Sequence, residues 1–138
     1  MGASLVAACW IELRQAADER GVLTSIESGI DIPFETKRVF FIVDASGDRG
    51  NHAHRCTRQL LVSIAGTFKV DVSTGGGWTT YEMKERSRAL FLPPMTWARL
   101  YAFSPDAVCL ALADTHYAES AYLRDWDEFV REAAARNP

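Results

Sequence analysis

His52 and His54 stand two residues apart in the run Gly50-Asn51-His52-Ala53-His54 and account for two of the chain's three histidines. Side chains alternate between faces along an extended strand, so residues i and i+2 project to the same side. A face carrying two imidazoles has a ready chemistry. The unperturbed imidazole pKa of about 6.5 lets one ring take a proton while its neighbour returns one. The plainer reading is a pair of surface or hydrogen-bonded histidines with no chemical part. The third histidine, His116, precedes Tyr117 in a loop and reads as structural or exposed.

The elements that position this pair are strands. Cys9 to Leu13 and Val22 to Glu27 read as strands around a turn-like segment ending in Arg20-Gly21, with a helix possible over Leu13 to Arg20. Ile32-Pro33-Phe34 punctuates the chain before a strand from Lys37 to Asp44. That strand is apolar on both faces, which predicts that both faces are covered. The loop Ala45 to Gly50 delivers the histidines at a strand start. Gln59 to Ile64, Phe68 to Val72, Trp78 to Met83, Ala89 to Leu92, Trp97 to Phe103 and Val108 to Ala113 follow. Gly66, the run Gly75-Gly76-Gly77 and Pro93-Pro94 punctuate them. Short strands recurring every eight to twelve residues predict an all-β barrel or sandwich. Only Asp125 to Ala135 patterns as a helix, with Trp126, Phe129 and Val130 on one face.

Composition excludes several function classes. At 138 residues the length prior predicts a single domain over residues 1–138. Net charge is −3, with acids and bases interleaved, so no basic footprint for nucleic acid exists. No apolar run approaches the roughly 20 residues of a membrane helix. The run from Met1 to Trp10 lacks a charged leading region, and Glu12 and Arg14 cut its apolar stretch short, which argues against a signal segment. Cys9, Cys56 and Cys109 form no C-x-x-C spacing, and an odd, unpatterned set suits a reducing cytoplasm.

Gly50, the H-x-H pair, Gln59 and Gly66 resemble the first motif of the cupin barrels, with Gln59 where that motif carries Glu. Leu92-Pro93-Pro94-Met95-Thr96-Trp97-Ala98 resembles the later motif, with Ala98 where a fourth ligand, a His, is expected. A divalent ion wants three or four N or O ligands. Two imidazoles, an amide and a methyl group fall short of that, so the histidines read as metal-free acid/base groups. The ordered set extends along nearly the whole chain. It includes Arg20-Gly21-Val22-Leu23, Lys37 to Ile42, Arg49 to His54, Val108 to Ala113 and Tyr117 to Asp125. This set is similar to the WxcM-like nucleoside-diphosphate-sugar 3,4-ketoisomerases, metal-free cupin enzymes acting on a dTDP-4-keto-6-deoxyhexose. The resemblance implies a cupin-type antiparallel β-barrel, or jelly roll, with a short C-terminal helix. It implies a homodimer that takes a dTDP-linked sugar nucleotide and needs no cofactor. Its setting would be deoxysugar biosynthesis for lipopolysaccharide or other glycans. His52 and His54 match the family's active-site histidines. Two departures stand out: Phe40-Phe41 where members often carry a tyrosine, and Ala98 where the residue is often polar.

The implied reaction removes the C3 proton beside a C4 carbonyl, passes through an enediolate and returns a proton to C4. One imidazole, or the two together, would carry it. The enediolate needs fixed donors; Arg49, Gln59 and Arg99 are the candidates, with Arg49 favoured by adjacency to the pair. Each arginine also reads as a solvated surface charge. Arg58, with Arg55, would suit a bidentate grip on the diphosphate. Trp97 offers an aromatic platform for sugar or base, or simply packs in the core. Tyr122 and Arg124 read as residues that dock the C-terminal helix. The competing functions are a cupin sugar-nucleotide epimerase and a non-catalytic sugar- or nucleotide-binding cupin. A metal-dependent oxygenase is the weakest, because two ligands are missing.

Overall fold

A computed structural model describes residues 6–136; residues 1–5, on which part of the signal-segment reading rests, lie outside it. Twelve strands run in chain order as β1 Cys9–Glu12, β2 Arg14–Asp18, β3 Gly21–Ser25, β4 Arg38–Ile42, β5 Arg49–His54, β6 Gln59–Ala65, β7 Phe68–Ser73, β8 Trp78–Met83, β9 Arg88–Leu92, β10 Trp97–Tyr101, β11 Val108–Ala113 and β12 Tyr122–Leu123. The helix α1 spans Trp126–Arg136. One five-stranded sheet has the order β1-β9-β6-β11-β4, the other β12-β5-β10-β7-β8, and β2 pairs only with β3. All strand pairings are antiparallel. This is the expected all-β jelly roll with a C-terminal helix.

Period-two patterning sorts the apolar residues into three cores. Between the sheets, Leu61, Leu90 and Cys109 from one meet Phe68, Val70, Val72 and Leu100 from the other. On the outer face of the first sheet, Leu60, Val62, Phe91 and Leu112 pack under Ile32 and Phe34 of the segment leading to β4. On the outer face of the second, Ala53, Trp97 and Leu123 pack under Phe129 and Ala133 of α1. Asp125 caps that helix, accepting the Glu128 backbone N–H at 3.0 Å. Arg55 clamps it to the end of β5, reaching Glu132 at 3.1 Å and Glu128 at 3.2 Å and donating to the Ser120 carbonyl at 3.0 Å. No helix of the described residues is long and apolar enough to cross a membrane.

Three expectations are corrected. Leu13 to Arg20 is not a helix. Asp18 accepts the Arg20 backbone N–H at 2.8 Å, tightening the turn so that the flanking residues pair as β2 and β3. β4 is not covered on both faces within this chain. Phe40 and Ile42 pack inward, whereas Val39 and Phe41 are 60% and 66% exposed on an edge strand. A strand buried on both faces is β6, whose Leu61 lies in the core between the sheets and whose Leu60 and Val62 lie in the outer core under Ile32 and Phe34. The histidines, finally, occupy the end of β5 rather than its start.

Candidate active site

A cavity of about 200 Å³ opens between the sheets at the β5 end of the sandwich. Its wall is divided. Phe40, Ile42, Leu61, Ala98 and Leu100 make an apolar side, and Arg49, His52, His54, Gln59, Thr96 and Tyr122 a polar one.

Arg49 joins the polar side because of an irregularity in β5. His52 pairs with Ala98, but Arg99 pairs with Gly50, leaving Asn51 as an extra residue in a β-bulge. Gly50 and Asn51 both have positive φ, 77° and 58°; Asn tolerates this conformation and Gly adopts it freely. Gly50 has a second constraint, since a Cβ there would stand 2.9 Å from the Ala98 carbonyl oxygen. The bulge resets the alternation. Arg49, an odd residue opposite Leu100, reaches the same cavity as the even residues His52 and His54. Gly66 sits in the turn closing β6 to β7 at φ 67°, where a Cβ would meet Ala107 at 2.7 Å.

The two imidazoles lie edge to face, centroids 5.0 Å apart at 77°. His52 Nδ1 lies 3.0 Å from the Gly50 carbonyl. A carbonyl only accepts, so Nδ1 carries the proton and Nε2 the free lone pair. His54 is buried, and its Nδ1 has no hydrogen-bond partner among the described residues. Burial pushes its pKa down to about 3, helped by the positive fields of His52, Arg38 and Arg124. Burial lowers His52 as well; the Gly50 carbonyl partly offsets this, Arg124 adds to it and Glu119 opposes it. Both rings are therefore neutral at neutral pH and hold lone pairs available to a carbon acid.

Two neighbours escape sequence reading. β12, only two residues long, pairs Tyr122 with His54. The phenol ring thus stands 4.3 Å from the His54 ring and 4.9 Å from that of His52. Tyr122 is a wall of the cavity, which corrects its reading as a helix-docking residue. Arg124 lies over the Tyr122 ring at 4.8 Å and pairs with Glu119, which also accepts a hydrogen bond from the Tyr117 hydroxyl. Arg38, the second, lies 5.4 Å from the Phe40 ring and 5.6 Å from that of Tyr117, with a buried Nε that has no hydrogen-bond partner among the described residues. No periodic signal in the sequence marks Tyr122, because β12 is two residues long and takes its place from pairing with His54.

Of the candidate residues, the cavity brings together His52, His54, Arg49 and Gln59. Trp97, Arg99 and Arg58 do not line it. Trp97 pairs with Ala53, so it shares Ala53's outward face and packs against Trp126 at 5.3 Å and Phe129 at 5.5 Å. Arg99 has the same parity and bridges Asp48 at 2.6 Å and Asp71 at 3.5 Å. Arg58 is held by Asp114 at 2.7 Å and by the Pro33 carbonyl at 3.1 Å. Arg55 is taken up by the helix clamp described above. His116 is exposed. Among the described residues, no three His, Cys, Asp or Glu side chains gather as a metal cage.

The sequence model of the family described as WxcM-like, C-terminal, matches residues 7–134. A curated relative is the TDP-4-oxo-6-deoxy-alpha-D-glucose-3,4-oxoisomerase of Aneurinibacillus thermoaerophilus, 34% identical over 92% of this chain and 93% of that protein. Among solved structures, the sugar 3,4-ketoisomerase QdtA of Thermoanaerobacterium thermosaccharolyticum, in complex with TDP, superposes with a TM-score of 0.93. It is 32% identical over 98% of this chain and all of that one. A mutant of the same enzyme in complex with TDP-4-keto-6-deoxyglucose gives 0.92, at 32% identity, over 97% and 99% of the two chains. The match runs nearly end to end, and the chain belongs to the WxcM-like, C-terminal family.

Proposed function

We propose that this protein is a sugar-nucleotide 3,4-ketoisomerase. It converts a dTDP-4-keto-6-deoxyhexose into its 3-keto isomer through an enediolate, with His52 and His54 as the acid/base pair. The observation that carries the reading is the pair of neutral imidazoles side by side on the wall of a half-apolar cavity. End-to-end similarity to TDP-sugar ketoisomerases supports the substrate class.

One imidazole takes the proton from C3 as the electron pair moves toward C4 and its carbonyl oxygen becomes the enediolate oxygen. A proton then adds to C4 from the same or the neighbouring ring, and the O3 proton leaves while O4 is protonated. The carbonyl ends at C3 and the hydroxyl at C4. General acid/base groups of this kind contribute about a hundred- to ten-thousand-fold. Arg49 and Gln59, in the same wall, supply donors to the developing oxyanion, while the apolar side suits the C6 methyl. The chemistry asks for no metal, and Gln59 and Ala98 are not ligands for one.

The working form is a homodimer in the cytoplasm. β4 leaves Val39 and Phe41 bare, Val43 just beyond it is also exposed, and the hairpin of β2 and β3 leaves Val22 and Leu23 bare. Exposed apolar edges of this kind invite a second copy. The three free cysteines agree with a reducing compartment.

The test is incubation with dTDP-4-keto-6-deoxyglucose in deuterated water, followed by NMR. The expected product is the 3-keto isomer. Replacing either histidine by Asn leaves the nucleotide bound and lowers turnover by about a hundredfold or more. A wild type that binds the sugar nucleotide but never loses its C3 proton would replace this reading with that of a binding module. Two fully active Asn variants would remove the histidines from the mechanism.

A further inference from the structure

Two polar atoms in the cavity wall are buried without a hydrogen-bond partner among the described residues: His54 Nδ1 and Thr96 Oγ1. Thr96 is 5% exposed. A buried hydroxyl left unpaired costs about 1–3 kcal/mol, and such a group in a native protein calls for a partner from outside the chain.

Its position follows from the proline turn. The Met95 N–H donates to the His54 carbonyl at 2.7 Å, with Met95 at φ 59°. This contact extends the Trp97–Ala53 pairing back by a step, so Thr96 flanks His54 on one side while Tyr122 flanks it on the other. Trp97 points away from the cavity; Thr96 and Ala98 line it. Apart from Tyr122, Thr96 is the only hydroxyl among the lining residues.

We propose that Thr96 is a catalytic residue whose hydroxyl hydrogen-bonds the C4 oxygen of the hexose as that oxygen passes from ketone to enediolate to alcohol. The proposal rests on the ketoisomerase reading. A hydroxyl suits the task because it both donates and accepts. It donates to the ketone and the enediolate oxygen, then accepts from the C4 hydroxyl of the product. The guanidinium of Arg49 can only donate. No covalent bond to Thr96 forms, and its own proton stays on Oγ1 throughout.

The test is Thr96→Val, of nearly equal shape, beside Thr96→Ser, with steady-state kinetics and thermal unfolding. For Thr96→Val, kcat is expected to fall about a hundredfold with KM within about twofold, as for loss of a donor engaged only in the transition state. Its Tm is expected to be unchanged or higher, because an unpaired buried hydroxyl is replaced by a methyl group. Thr96→Ser is expected to keep turnover within about fivefold. A Thr96→Val protein with normal kcat overturns the proposal. So does parallel loss of kcat and Tm in both variants, the mark of a packing role. Should Thr96→Val not fold, Thr96→Ser against Thr96→Ala isolates the hydroxyl, and equal kcat in that pair overturns it. An inert wild type refutes the ketoisomerase reading and this proposal together; an active wild type with an unimpaired Thr96→Val refutes this proposal alone.

Discussion

Acid should destabilise this protein through His54 before the carboxylates begin to titrate. In the unfolded chain the imidazole titrates near 6.5, and in the folded chain near 3. The unfolded state therefore binds the proton first. Its contribution to stability is complete above the unfolded pKa and is lost as pH falls through 6.5 toward 3. For a single site with these two constants, lowering pH from about 7.5 to about 5 removes about 2 kcal/mol. The slope approaches about 1.4 kcal/mol per pH unit at the acid end. That is a large share of the ~5–15 kcal/mol typical of a domain. The window lies above the ordinary carboxylate range, so Asp and Glu contribute little there. The assay is urea unfolding at a series of pH values for wild type and His54→Asn. The wild type should lose about 2 kcal/mol more than the variant across the window. His52, shifted the same way, remains in both proteins. Parallel pH profiles for the two proteins would refute the argument, because they would mean that the folded protein protonates His54 as readily as the unfolded chain.

Gly50→Ala should cost about 1–3 kcal/mol in urea unfolding and depress turnover, since the new Cβ meets the Ala98 carbonyl at φ 77°; a variant as stable as wild type would contradict the tight approach. Phe41→Glu should shift the protein toward monomer by light scattering, because it sets a charge in the bare face of β4; a monomeric wild type at micromolar concentration would refute the dimer. Activity should survive dialysis against a chelator, and elemental analysis should find no stoichiometric zinc, iron or manganese; loss of activity restored by one of these metals would overturn the metal-free mechanism.

Much of the fold was legible because strand alternation leaves a plain mark. Phe68 to Val72 alternates cleanly and forms β7, and the helix announces itself through Trp126, Phe129 and Val130. The shared face of His52 and His54 followed from their spacing alone. What stayed hidden depends on pairing between distant segments. Sequence alone groups Trp97 and Arg99 with the histidines, because nothing in β10 by itself tells which face meets which face of β5. Only the Trp97–Ala53 register assigns it. Tyr122 was missed because β12 is too short to show a period and gains its place from pairing with His54. The bare face of β4 looked like core because an apolar strand reads the same whether its cover comes from its own chain or from another.

The extra residue at Asn51 uncouples the chain's length from the faces that its side chains take. Deleting Asn51 would leave an unbroken ladder with β10 in which Gly50 still meets Arg99 and Arg49 still meets Leu100, so Arg49, His52 and His54 would all keep the cavity face. Pairing Asn51 with Arg99 instead would shift every upstream residue of β5 by one and turn Arg49 to the side occupied by Trp97. With Asn51 present, the acid/base pair and its adjacent guanidinium thus share a face only because the bulge keeps this residue out of the ladder, a state that the positive φ of Gly50 and Asn51 fixes. A homologue one residue shorter there would present the same wall through a regular strand, whereas one of equal length needs residues before its H-x-H that tolerate the bulge.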